Sequence, residues 1–122
     1  MKKVLQALLV SVIMVMGTGI VRAEDPLKVA PDMYSLVFEN ERVRVLQVVF
    51  KPGQQIKKHS HPDHYVYVLE GGQLTISKPD GTSSIADVKP GQVIWIPAET
   101  HWAKNTGASQ VRLLVNELKP TK

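Results

Sequence analysis

Short apolar runs broken by proline and glycine make up the chain after Ala23 and restrict it to an all-β fold. No segment there keeps apolar residues at the 3.6-residue period of an amphipathic helix. Short runs rich in β-branched residues, separated by Gly/Pro turns, are typical of a β-sandwich or β-barrel. The pattern predicts an extended arm over 24–32 and strands over 34–39, 43–50, 55–59, 65–69, 74–78, 83–88, 93–96, 101–106 and 111–118.

One tetrapeptide occurs twice in the chain. Lys51–Gln54 and Lys89–Gln92 both read Lys-Pro-Gly-Gln, and each copy leads into a segment that carries histidine. Two similar halves would bring their histidines together across a barrel interior. A Pro-Gly turn also recurs by chance, so the repeat is a minor argument.

Three of the four histidines fall within the six-residue segment 59–64, and the fourth is His101. Side chains at alternate strand positions point to one face, so His59 and His61 would share a space. His64 follows a Pro-Asp turn signal and can turn back toward the same point. Neutral imidazole is the commonest protein metal ligand. The cluster indicates a metal site, and the alternative is a solvated, histidine-rich loop.

The first 23 residues have the features of a secretory signal peptide. Met-Lys-Lys precedes the apolar run Val4–Val21, and Val21-Arg22-Ala23 supplies small residues for a cleavage site. We expect cleavage after Ala23 and, in a bacterium, export to the periplasm. The alternative is a membrane anchor, because the 18-residue run is close to the minimum length of a membrane span.

Removal of this leader changes how the charge is interpreted. The chain has 15 basic and 11 acidic residues, and cleavage would remove three basic ones, Lys2, Lys3 and Arg22. The remaining 99 residues would carry a net charge of +1, which does not indicate nucleic-acid binding. After cleavage no membrane association is expected. The chain has no cysteine, so an exported form must be stable without disulfides.

The spacing around the first histidines matches a known pattern. Gly53 is followed by five residues and then by His59-Ser60-His61, and the strand at 65–69 runs into Glu70-Gly71. This segment resembles the first motif of the cupin superfamily, in which glycine, five residues and His-x-His precede a glutamate and a later glycine.

The second half of the chain resembles the second cupin motif. Gly91 is followed by five residues and Pro97, then by His101 and, after three more residues, by Asn105. Both motifs occur in order, and the resemblance covers roughly residues 43–118. It implies a single-domain jelly-roll β-barrel over 43–118, preceded by an arm and first strand over 24–42 and the leader over 1–23.

Two departures from the motifs concern the site. The glutamate ligand of the family is absent, and His64 stands in its place when counted back from the following strand. Glu99 stands where the second motif has glycine. The metal set implied by the resemblance is His59, His61 and His101, with His64 substituting for the glutamate. In a second account, His64 points away and water fills the gap.

The resemblance implies one divalent metal ion per chain, and often a homodimer. Imidazole suits iron, copper, nickel and zinc, and manganese is also bound in such sites, so the ligands do not select one metal. Four neutral ligands would leave the full charge of the ion in place, which favours a small polar or anionic ligand.

The family analogy leaves the activity open. A metal-dependent enzyme of oxygenase (such as a dioxygenase), isomerase or lyase type is one reading, and no catalytic base can be named from the sequence. A non-catalytic module that binds a small molecule or the metal is the second. The third is a barrel in which the metal only stabilises the fold.

Several other residues are secondary candidates. Asp63 could orient an imidazole, although an acidic residue after proline is more often a turn residue. Glu70 could face inward, although its glycine neighbours favour a solvated turn. Asn105 shares the strand parity of His101 and could form a hydrogen bond near the cavity. Aromatic side chains could line a pocket or form core or dimer contacts: Tyr65, Tyr67, Trp95 and Trp102.

The leader generates a prediction about the mature protein. If Val4–Val21 is the apolar part of a signal peptide, protein recovered from the producing cell begins at Glu24. The intact mass of the secreted form measures this directly. A soluble cytoplasmic form that retains Met1 would contradict the interpretation.

Overall fold

The computed structural model describes residues 24–121, so the predicted leader at 1–23 lies outside the described residues. Within 24–121 no helix has the length and apolar character needed to span a bilayer. The elements, in chain order, are α1 (Pro26–Val29), β1 (Tyr34–Glu39), β2 (Val43–Phe50), β3 (Gln55–His61), β4 (His64–Glu70), β5 (Gly72–Ser77), β6 (Ser83–Val88), β7 (Val93–Ile96), β8 (Glu99–Asn105) and β9 (Val111–Leu118).

The strands form two antiparallel sheets that face each other. The large sheet has the order β1-β2-β9-β4-β7, and the small sheet has the order β3-β8-β5-β6. This arrangement confirms the predicted all-β jelly-roll fold. The two sheets stay separate, so the expected full closure into a barrel does not occur.

The hydrophobic core lies between the two sheets. Every second residue of β2 and β9 is buried, as the two-residue period of a strand requires when one face packs on a core. Because these strands pair along their full length, their inward side chains form one continuous layer. The buried apolar residues of this layer are Leu46, Val48, Phe50, Val111, Leu113 and Val115.

The repeated Lys-Pro-Gly-Gln segments form the same turn. In each, the glutamine N–H donates to the lysine carbonyl oxygen at 3.0 Å, from Gln54 and from Gln92. Gly53 and Gly91 have φ angles of 85° and 86°, the left-handed conformation that a type II turn needs after proline. Local turn chemistry therefore accounts for the repeat.

Several local predictions differ from the observed structure, among them the following. The extended arm contains the helical turn α1, because Asp25 caps it by accepting from the Leu27 N–H and Pro26 begins it. β3 continues through His61. β8 begins at Glu99, two residues before the predicted strand over 101–106.

Candidate metal centre

Strand pairing brings the histidines of β3 and β8 together. The two strands are neighbours in the small sheet, and His59 lies directly opposite His101. His61 lies two residues further along β3 and shares the inward face. The histidines of the two motifs are therefore side by side on adjacent strands, rather than across the interior as the repeat suggested.

A β-bulge sets the direction in which His59 points. Ile56 and His59 are both buried although they are three residues apart, an odd spacing that a regular strand would place on opposite faces. Between the pairs Ile56–Ala103 and His59–His101, two residues of β3 oppose one residue of β8. Such a bulge reverses the alternation, so both histidines of β3 face inward.

The three histidines have the separation that one ion requires. One ring nitrogen from each of His59, His61 and His101 lies within 4.8 Å of the other two. Nitrogens bound to one metal ion at about 2.0–2.1 Å lie roughly 3–3.5 Å apart. Binding would thus need only small movements of side chains that are 0%, 5% and 6% exposed.

His64 approaches the cluster from the large sheet. It is the first residue of β4 and is 1% exposed, and its ring lies 4.5 Å from that of His61, measured between centroids. It lies outside the set of mutually close nitrogens formed by the other three. Whether His64 is a fourth ligand therefore stays a prediction.

Hydrogen bonds fix the tautomer of all four rings. Nδ1 of His59 donates to the Lys57 carbonyl at 2.8 Å, and Nδ1 of His64 donates to the Pro62 carbonyl at 2.7 Å. Nδ1 of His61 and of His101 donate to carboxylates.

Each Nε2 is consequently left without a proton and can bind a metal. The buried Nε2 of His59 has no hydrogen-bond partner within residues 24–121. A buried polar atom without a partner is costly, and a metal ion would satisfy it. The residues present therefore fit a divalent ion.

Two carboxylates of the site were missed by the sequence interpretation. Glu117 accepts from His61 Nδ1 at 2.7 Å and is 2% exposed, and Glu99 accepts from His101 Nδ1. Glu117 could have been found, because it is the one charged residue among the inward positions of β9, which are otherwise apolar. Glu99 could have been found because it lies two residues before His101, so that on one strand the two side chains point to the same face.

Both carboxylates are ionised. Burial alone would raise the pKa of Glu117, but hydrogen bonds from His61 and Arg44 outweigh it and hold this pKa below its usual value. At Glu99 burial is the largest single influence, but the hydrogen bond from His101 and the nearby charges of His101 and Lys78 together outweigh it and lower the pKa. The expected uncompensated charge of an ion on four neutral ligands is thus wrong, since two anions lie directly behind the ligands.

A small cavity lies beside the histidines, between the sheets. Its volume is about 130 Å³, and its polar lining comes from Tyr34, His61, His64 and His101, while the rest of the lining is apolar. Burial, with a smaller contribution from the charge of Glu117, raises the pKa of Tyr34, so its hydroxyl stays protonated.

The secondary candidates have other roles. Asp63 accepts from the Ala98 N–H, Glu70 pairs with Arg112, and Asn105 donates to the carbonyls of Phe50 and Ser109. These contacts hold turns and strand ends. Tyr65, Tyr67 and Trp95 are exposed on the outer face of the large sheet, and Trp102 lies on the outer face of the small sheet.

Comparison with known proteins identifies the family. The model of the cupin domain family matches residues 46–116, and the chain therefore belongs to this family. No curated protein sequence matches the chain.

Solved structures share the fold. A cupin domain protein from Bordetella pertussis is 26% identical with a TM-score of 0.67, covering 72% of this chain and 93% of that one. A protein with a double-stranded β-helix domain from Klebsiella pneumoniae is 23% identical with a TM-score of 0.56, covering 73% and 84%. The polyketide cyclase RemF from Streptomyces resistomycificus is 24% identical with a TM-score of 0.55, covering 71% and 64%.

Burial keeps His59 and His64 neutral far below the ordinary titration range of histidine. Desolvation lowers the pKa of His59 to about 3 and that of His64 to about 4, and it also lowers the pKa of His101. Lysine carbonyl and proline carbonyl hydrogen bonds oppose these shifts only in part. His59 and His64 therefore stay unprotonated, as metal ligands must be, in mildly acidic solution.

These shifts predict that the metal-free protein loses stability in mild acid. An unfolded histidine takes up a proton near pH 6.5, whereas folded His59 and His64 do so only near pH 3 and 4. The histidine contribution is thus complete above pH 6.5 and is lost on acidification, by at most roughly 1.4 kcal/mol per pH unit for each histidine.

Chelator-treated protein measured by thermal denaturation from pH 7.5 to 5.0 tests this expectation. This range lies above the titration of unfolded glutamate, so the carboxylates contribute little. The variant His64→Gln should show a shallower dependence of the melting temperature on pH, and Glu70→Gln should not. A melting temperature that is constant over this range in the parent would contradict the prediction.

Proposed function

We propose that the protein is a metal-binding cupin that holds one divalent ion through His59, His61 and His101, with His64 as the fourth ligand. The observation that carries this proposal is the commitment of all four Nδ1 atoms to fixed acceptors, which leaves every Nε2 available. The unpartnered Nε2 of His59 supports it independently. Iron, manganese, nickel, copper and zinc all fit the ligand types.

We propose further that the cavity takes a small molecule with an apolar body and one polar or anionic group. A cavity of about 130 Å³ is close to the size that accommodates a benzene ring. Its apolar walls would contact the body of the ligand, while the polar end would lie toward the histidines. The protonated Tyr34 hydroxyl is available there as a hydrogen-bond donor.

The choice between an enzyme and a binding module depends on which groups at the site, the metal ion or protein side chains, could carry out a reaction. A bound divalent ion would supply Lewis acidity or, for iron, manganese or copper, redox chemistry. Among the described cavity-lining residues, the groups that can accept a proton are the histidines assigned to the metal. This favours either a reaction that needs no protein base, such as an oxygenase reaction, or a non-catalytic binding module.

The histidine set generates a prediction about metal content. Untagged protein purified without chelator should contain about one divalent ion per chain, as measured by inductively coupled plasma mass spectrometry. His59→Ala or His61→Ala should abolish binding, His64→Ala should weaken it less than His59→Ala does, and His64→Glu should retain it.

Lys104→Ala is the matched control, because Lys104 is exposed on β8 near His101. Unchanged metal content in both His59→Ala and His61→Ala would refute the site. Equal affinity of parent and His64→Ala would leave the three-histidine account in place.

Export remains part of the proposal. Residues 1–23 carry the signal-peptide pattern, so we propose that the protein acts in the periplasm or is secreted.

We also propose that two copies associate through the outer face of the large sheet. This face carries exposed aromatic and aliphatic side chains on β4 and β7, including Tyr67 at 39%, Val93 at 62% and Trp95 at 54%. Its arginine, Arg112, is paired with Glu70. The outer face of the small sheet carries Ile85 and Trp102 but is otherwise mainly polar, with Gln73, Thr75, Ser77, Ser83, Asp87, Thr100 and Lys104.

The charge and size of this face fit a second copy of the chain. A face whose arginine is already paired can lie on its own copy without placing like charges together. At about 4.8 Å between strands and 3.3 Å per residue, the five strands cover roughly 500 Å² in projection. This approaches the ~800 Å² of accessible surface that each partner buries in a standard interface.

The association is tested by light scattering on a size-exclusion column. The parent should have the mass of a dimer at micromolar concentration, and Trp95→Lys should shift the mass toward a monomer. Ile85→Lys is the matched control, because Ile85 is 67% exposed on the small sheet. A monomeric parent at these concentrations, or a parent and Trp95→Lys of equal mass, would contradict the proposal.

A further inference from the structure

A chain of buried charged groups runs from His61 to the beginning of the described structure. Glu117 accepts from His61 Nδ1 at 2.7 Å through one oxygen and from Arg44 Nε at 2.9 Å through the other. Arg44 donates in turn to both carboxylate oxygens of Asp25, at 2.8 and 2.9 Å. Asp25, Arg44 and Glu117 are 8%, 7% and 2% exposed.

Glu24, the residue before Asp25, also forms hydrogen bonds to β3 between two of the predicted ligands. Ser60 stands between His59 and His61, and its N–H donates to the Glu24 carbonyl oxygen at 2.9 Å. Its hydroxyl donates to the Glu24 carboxylate at 3.1 Å. Residues 24 and 25 therefore hold His61 from two sides, through the backbone of β3 and through the buried charges.

The charges alternate in sign along the series Glu117, Arg44 and Asp25, and each one changes how strongly Glu117 accepts from His61. Arg44 alone would draw the negative charge of Glu117 away from His61. Asp25 neutralises Arg44 by a bidentate pair, the strongest arrangement of these two groups, so that Glu117 stays an effective acceptor for the imidazole N–H. A carboxylate behind a ligating histidine fixes its orientation and raises its basicity.

We propose that Asp25, acting through Arg44 and Glu117, is a positioning residue for His61, so that docking of the segment Glu24–Val29 sets the affinity of the metal site. This inference rests on the proposed metal function. It adds that residues outside the barrel strands tune the site, a role that neither histidine motif contains.

Two substitutions that preserve shape test this inference. Glu117→Gln should weaken Co²⁺ binding by roughly 10- to 100-fold, the usual effect of removing such a partner. Asp25→Asn keeps an oxygen that can cap α1, since asparagine is a good N-cap, and removes the charge and one of the two oxygens that accept from Arg44. It should weaken binding by roughly three- to tenfold, because Arg44 keeps at most one of its two hydrogen bonds to residue 25, and that bond no longer ends on an anion.

Glu70→Gln is the matched control, since it removes a carboxylate–arginine pair, between β4 and β9, without touching a histidine. It should bind Co²⁺ as the parent does.

A second readout is the NMR signal of the His61 Nδ1–H, followed in metal-free protein. Glu117→Gln and Asp25→Asn should both shift it or expose it to solvent exchange, whereas a merely structural role would lower only the melting temperature.

The outcomes separate the two proposals. Lower melting temperatures for Asp25→Asn and Glu117→Gln with parental Co²⁺ affinity and an unchanged His61 signal would overturn the positioning role. If the parent itself bound no Co²⁺, the proposed metal function would fail. The His61 signal of the metal-free variants would still decide whether Asp25 positions this ring.

Discussion

The pairing of β3 with β8 is the contact on which the site depends. It sets His59 opposite His101, and the bulge before His59 turns both β3 histidines into the space between the sheets. Without this register the histidines would belong to unrelated surfaces. The large sheet then supplies the supporting groups from β2, β4 and β9, so the site forms only when both sheets are assembled around it.

The site illustrates how a buried cluster of bases is kept neutral and oriented. Burial penalises the charged imidazole, and fixed acceptors on Nδ1 leave the metal-binding nitrogen free of a proton. The negative charge that a ligand glutamate would supply lies instead on Glu99 and Glu117, which contact the ligand histidines on the side away from the metal-binding nitrogen. An ion in this site would therefore keep neutral ligands while still being partly compensated from behind.

The strands and the histidine cluster could be predicted from the sequence, whereas the groups that support the histidines could not, for physical reasons. Strand positions followed from local signals, because alternation and Pro-Gly turns act within a few residues, and the histidine spacing indicated both the family and the cluster. Glu117 and Arg44 escaped notice because their roles arise from contacts such as Arg44–Glu117, 73 residues apart in the chain. The α1 turn was missed although its Asp25-Pro26 start is a local signal.

The bulge at Lys57 and Lys58 has a consequence for how such chains diverge. Both lysines are exposed, so the sequence there is free to vary in composition. Its length can also change by one residue, because removing Lys57 or Lys58 would restore regular alternation and leave the first histidine two residues after Ile56, still on the inward face. Chains with and without this extra residue could thus direct the same histidines into the space between the sheets, although the interval before the first histidine differs.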